Sequence, residues 1–352
     1  MSAINFGTTV SLKQAATLIA ATPQVRYFLR GEPGIGKTAL LSMLQAKLSD
    51  YKMVYIDVPN LDLGDTSMPV IKHETKTTTY YPNERFGLHT GDKVCILLDE
   101  FTKGAEPVKN MLHPMLNEGR LGDLKLHPET IIFMTGNLSS DGVGDNLKAH
   151  SKNRITTITV RKPTAEEWIN WGLDNDIEPT VLAFSKQFEH IFASYTEAGA
   201  SDNPYIYNPK RQQDAFVSPR SLEKASFIVK ARDRLDTDSV VAALVGTCGE
   251  SFAKDFHAYL DFSDQLPTKE SILQNTKTAK VPDNPAAQGI LVYGGISWVN
   301  KDTLTPFMDY IERLPAEWQA VFCINLAKSN KQNMAFSSRK FSEWVSKNQD
   351  LL

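Results

Sequence analysis

The run Gly31-Glu32-Pro33-Gly34-Ile35-Gly36-Lys37-Thr38 has the residue types and the spacing of a phosphate-binding loop, G-x-x-x-x-G-K-[ST]. Each type answers a chemical need. Glycines let backbone N–H groups close around phosphate oxygens, a lysine reaches the terminal phosphates, and a hydroxyl directly after it is a ligand for Mg²⁺. The surroundings agree with the motif. Tyr27-Phe28-Leu29 runs into the loop as a short strand, and Ala39 to Leu44 leaves it as a helix. A turn that only breaks the chain has no need of Lys-Thr at a helix start. Gly31 through Ala39 are therefore the expected nucleoside triphosphate contacts, with Lys37 on the phosphates and Thr38 on the metal.

A second group of residues carries complementary chemistry. Cys95-Ile96-Leu97-Leu98-Asp99-Glu100 is an apolar strand that ends in two carboxylates. Downstream of a phosphate loop, Asp99 would hold Mg²⁺ through water and Glu100 would polarise the attacking water. Ile131 to Thr135 is another apolar strand; it leads to Asn137, a neutral side chain able to orient that water or meet the terminal phosphate. An isolated Asn before a loop is more often a turn former, so this role depends on the other two motifs. Two arginines follow, Arg154 before the last strand signal and Arg220 in Ser218-Pro219-Arg220 at a helix start. A guanidinium matches the charge of a transferring phosphoryl group, although an arginine on its own is more often a surface residue.

These residues must be positioned by a sheet. Strand signals fall at residues 24–30, 53–58, 94–99, 130–135 and 155–160, short and mostly apolar on both faces, as in a parallel sheet covered by helices. Ser11-Leu12-Lys13-Gln14 reads as a capping box opening a helix that Pro23 ends. Val108, Met111, Leu112, Met115 and Leu116 mark one face of another helix, which Pro114 should kink. Between residues 60 and 92, two strand-like runs flank His73-Glu74-Thr75-Lys76 and predict a β-hairpin. A shorter hairpin is expected at 120–127, turning at Gly122-Asp123. After Val160 the strand signal stops, and Thr164-x-x-Glu167 opens a helical region that runs almost to the end.

Composition narrows the classes. A chain of 352 residues exceeds the usual single-domain size. The formal net charge of −3 argues against a dedicated duplex-DNA binder. Cys95, Cys248 and Cys323 are scattered without a C-x-x-C pair, which fits buried thiols in a reducing compartment. No secretory signal is apparent, and the most apolar stretch, Gln288 to Val299, is too short and glycine-rich to span a bilayer. These features predict a soluble, cytoplasmic protein.

The ordered set of motifs from about Gln24 to Lys224 resembles the AAA+ ATPase family, and more closely its MoxR-type branch. The likeness extends to Leu98-Asp99-Glu100-Phe101-Thr102-Lys103, to Leu116-Asn117-Glu118-Gly119-Arg120-Leu121-Gly122-Asp123, and to the insertion with Asp62, Gly64 and Pro69. The resemblance implies a three-layer αβα core with a five-stranded parallel sheet at 1–163 and a hairpin insert at about 60–92. It also implies a helical lid at 164–235, and a helical extension fills 236–352. It makes Asn137 the first sensor, Arg154 the finger acting on a neighbour's ATP, and Arg220 the second sensor. The family usually has an acidic residue before the finger arginine and Phe after it. Here the run is Ser151-Lys152-Asn153-Arg154-Ile155, so Lys152 or Arg161 could share or replace that role. The implied activity is ATP hydrolysis with Mg²⁺ in a ring, by resemblance a hexamer, that remodels a protein partner. A protein with a von Willebrand factor A-type domain is the partner class the branch suggests. A nucleic-acid motor or loader is the alternative, because the same core serves both.

Overall fold

The computed structural model describes residues 9–138 and 153–348, in two compact units that meet in the chain between Lys162 and Pro163. In the first unit a six-stranded parallel sheet has the order β1 (Thr9–Val10), β10 (Thr156–Val160), β2 (Tyr27–Arg30), β9 (Ile131–Gly136), β6 (Val94–Asp99), β3 (Lys52–Asp57). The fold class is the one expected, an α/β core with a parallel sheet followed by helices. The five-strand count is corrected by β1, whose two residues add an edge beside β10. Two residues carry no hydrophobic period, so this strand leaves no signal in the sequence.

The alternation of side chains along the strands builds three layers. Tyr27, Leu29, Cys95, Leu97, Ile131 and Phe133 face α1 (Leu12–Ala21) and α2 (Leu40–Gln45), where they bury Ala15, Ala16, Ile19, Leu40 and Leu44. Phe28, Val54, Ile56, Ile96, Leu98, Ile132 and Met134 face the other way, onto Val108, Leu112, Met115 and Leu116 of the helix Glu106–Asn117. α1 starts at the expected capping box, with Ser11 and Gln14 each bonding the other's backbone N–H. The helix Glu106–Asn117 continues across Pro114 as one element.

Both hairpins form. β4 (Ser67–Lys72) pairs with β5 (Thr77–Pro82) around the His73–Lys76 turn, and β7 (Arg120–Leu121) pairs with β8 (Leu124–Lys125). The two are fastened together. Asp123 N donates to Tyr80 O (2.9 Å), while the Asp123 carboxylate accepts from Thr79 Oγ1 (2.6 Å) and Tyr80 N (2.7 Å). Because both backbone groups of Tyr80 are spent outside the ribbon, its partner Pro69 sits where no N–H is needed.

The described residues of the second unit are mainly helical, with an isolated β-bridge between Ile206 and Val217, around one core that runs from Ala165 to Trp344. Its centre is the helix Pro285–Trp298, the most apolar stretch of the sequence, buried nearly all round. Gly295 permits close helix contact there, since a Cβ would lie 2.3 Å from the Phe307 ring. Thr164 and Glu167 form the expected capping box. Trp168 is buried in this core, whereas Trp171 three residues on is exposed. No helix among the described residues is long and apolar enough to cross a membrane.

Candidate nucleotide site

In a parallel sheet all strands point the same way, so the ends of β2, β9 and β6 lie along one edge, where ligands of such sheets collect. The phosphate loop leaves β2 at that edge. Gly31 N donates to Gly136 O (3.3 Å), tying the loop to β9, and Ile35 plugs into the core at 1 % exposure. Gly34 (φ 75°) and Gly36 (φ 100°) take left-handed conformations, which side-chain-bearing residues adopt at a cost. Such backbone turns its N–H groups toward one concavity, the arrangement that holds anions. Gly31 is required for space. A Cβ there would stand 2.8 Å from the Val160 carbonyl oxygen and 2.5 Å from Ile35 Cδ1. The helix beyond opens with a tight turn, Lys37–Ala39, before α2.

Four of the expected site residues come together here. Lys37 Nζ donates to Gly31 O (2.7 Å), Glu32 O (2.9 Å) and Asn137 Oδ1 (3.3 Å), so the lysine and this asparagine share one place. Thr38 Oγ1 donates to Asp99 Oδ2 (3.3 Å). Hydroxyl and carboxylate oxygens are the hard donors that suit Mg²⁺, and Thr38 with Asp99 would hold it. Glu100 follows at the strand end in a left-handed conformation (φ 49°, ψ 39°). Its carboxylate pairs with Lys103 Nζ at 2.7 Å, with both side chains partly exposed. Ion pairs in such settings are weak and exchange readily.

Two further residues touch Asp99 and are absent from the expected set. Tyr55 OH on β3 donates to Asp99 Oδ2 (3.1 Å), and Thr135 Oγ1 on β9 donates to Asp99 Oδ1. Desolvation, then the neighbouring Asp99 charge, pushes the Tyr55 phenol up to about 12. Strand alternation is the signal that places them. Odd-numbered residues of β3, β6 and β9 face the loop helix, so Tyr55, Asp99 and Thr135 share a side.

The two arginines belong to different units. Arg154 is exposed in the turn before β10, and Arg220 is exposed at the second position of the helix Pro219–Lys230 in the other unit. Arg161, just after β10, donates to the Lys162 carbonyl (3.1 Å). Lys152, the other finger candidate, lies outside the described residues.

The site and the sheet define a phosphate-loop α/β core joined to a helical unit. No protein-family model matches the chain. Over 206 residues it is 29% identical to the chaperone protein ClpB of Lactococcus lactis subsp. cremoris (strain MG1363), covering 48% of this chain and 22% of that protein. Against the chaperone protein ClpB of Staphylococcus aureus (strain COL) the identity is 32% over 136 residues, covering 35% of this chain and 15% of that protein. The chain thus spans less than a quarter of the length of these curated relatives. Among solved structures, NtrX from Brucella abortus in complex with ADP aligns with a TM-score of 0.41 at 13% identity, over 97% of this chain and 67% of that one. That structural likeness is too loose to bear on function. The likeness to ClpB supports the AAA+ ATPase class and reaches no finer.

Proposed function

We propose that this chain is an AAA+ ATPase of the MoxR type that uses ATP binding and hydrolysis, in a ring of its own copies, to remodel a protein partner. The observation that carries the reading is the convergence of Lys37, Thr38, Asp99 and Asn137 at the loop edge of the sheet, with Glu100 beside them. Bound ATP·Mg²⁺ would supply the electrophilic terminal phosphorus and the charge that draws these side chains onto it. Lys37 exchanges its loop carbonyls for phosphate oxygens. Thr38 and Asp99 hold the metal side, and Asn137 orients water. Glu100 leaves Lys103 and takes the proton of the attacking water. Arg154 completes a neighbour's site, Arg220 reports the nucleotide to the helical unit, and residues 164–235 move as a lid, with 236–352 as an extension.

Protein is the favoured load because of the first hairpin. Met68, Val70 and Tyr81 on one face of it, and Ile71 and Tyr80 on the other, are 38–65 % exposed, which leaves apolar side chains on both faces open to protein contact. The ribbon's turn mixes Glu74 with Lys76, unlike a basic nucleic-acid track. The test compares the ATPase rate with DNA, and with an unfolded polypeptide, at physiological salt. The polypeptide should stimulate severalfold and DNA less than twofold, with Ile71→Lys abolishing the stimulation and sparing the basal rate. DNA stimulation that fades steeply with rising salt would replace this reading with the nucleic-acid motor.

A further inference from the structure

We infer that Thr135 is a positioning residue that sets both acidic side chains of the site through one hydroxyl; the inference rests on the nucleotide reading above. The Thr135 side chain is fully buried near the end of β9. Its hydroxyl donates to Asp99 Oδ1 and accepts from Glu100 N (3.2 Å), so donor and acceptor capacities are each spent on one acid.

Local geometry explains why both need it. The β6–β9 ladder ends at Leu98↔Met134, so Glu100 N–H lies beyond the last paired residues and takes the hydroxyl in place of a strand partner. Glu100 then adopts a left-handed backbone that a residue with a Cβ does not choose unaided, and this turn sets the direction of its side chain. On Asp99 the effect is selection between oxygens. With Oδ1 held by Thr135, Oδ2 is the one that faces Thr38 and Tyr55. β9 carries a third tie, through Asn137 to Lys37, so this strand end links the lysine to both carboxylates. A threonine fixed only for packing would not place its two hydrogen bonds on consecutive acidic residues.

The test compares Thr135→Ser with Thr135→Ala, which both lack the methyl and differ only in the hydroxyl; Thr135→Val, which keeps the shape, serves if Thr135→Ala does not fold. Two readouts are taken: amide hydrogen exchange at Glu100 without nucleotide, and the gain in affinity for a fluorescent ATP analogue on replacing EDTA with Mg²⁺. The serine variant should stay within about threefold of wild type in both. The hydroxyl-free variant should lose about tenfold in Glu100 amide protection and most of the Mg²⁺ gain, with affinity in EDTA unchanged within twofold. Equal behaviour of the serine and hydroxyl-free variants overturns the inference alone. A wild-type chain that binds the analogue under neither condition overturns the nucleotide reading and the inference with it.

Discussion

The ammonium of Lys37 spends its donors on two loop carbonyls and on Asn137, all within the reach that a phosphate would occupy. Hydrogen bonds to a charged group are worth about 1.5–3 kcal/mol, and every 1.4 kcal/mol is about tenfold in affinity. Lys37→Ala should therefore weaken ATP binding at least tenfold in a fluorescent-nucleotide titration; unchanged affinity would remove Lys37 from the phosphate role. Motif spacing alone makes this residue and Thr38 legible in the sequence, whereas Asp99, Glu100 and Asn137 become legible only through their order after the phosphate loop. Tyr55 and Thr135 are not legible there as Asp99 partners. Strand alternation puts their side chains on a known side only once the register Asp57↔Asp99 and Leu98↔Met134 is set, and register is a property of the folded sheet. An exposed arginine such as Arg154 has no local signal at all, because its proposed target belongs to another copy.

Among the elements, the pairing of the two hairpins decides whether the apolar ribbon is presented rigidly. A two-stranded hairpin alone is marginal in water. Here Gly122 lets the second turn approach so closely that a Cβ would meet Tyr80 O at 2.4 Å, and Asp123 fastens it. Hydrogen bonds from Thr79 and then Tyr80 N hold the Asp123 carboxyl below the usual carboxylate range. A carboxyl with a lowered folded pKa contributes fully above its unfolded value and loses that contribution as pH falls through the folded one. Protection of the Tyr80 amide from exchange should thus drop on acidification below the ordinary carboxylate range, and Asp123→Asn should remove that pH dependence. Protection that ignores pH in the wild type would contradict the pairing. Both hairpins are legible from their turns and strand runs, but their mutual docking is not, since residues 79–80 and 123 are brought together only by the fold. In the helical unit the apolar stretch Gln288 to Val299 is legible as too short for a bilayer; its place as the central core helix depends on partners such as Phe307 that no local pattern specifies.

For the whole molecule, the proposal is a shared site: one copy supplies the loop and acids, its neighbour the finger. Arg154→Ala should depress ATPase activity at least tenfold, since a transition-state arginine is worth about 10³–10⁵ in rate. Mixing it with Lys37→Ala chains should recover part of the activity, because some interfaces then pair an intact loop with an intact finger. No recovery in verified mixed assemblies would count against that placement. Whether the loop edge of the sheet hydrolyses ATP is decided by steady-state phosphate release from wild type and Glu100→Gln, each with its ATP affinity measured on the same sample. The expected result is turnover by the wild type and a drop of at least a hundredfold in Glu100→Gln at unchanged affinity. Normal turnover by Glu100→Gln, or none by a wild type saturated with ATP·Mg²⁺, would refute hydrolysis at this edge.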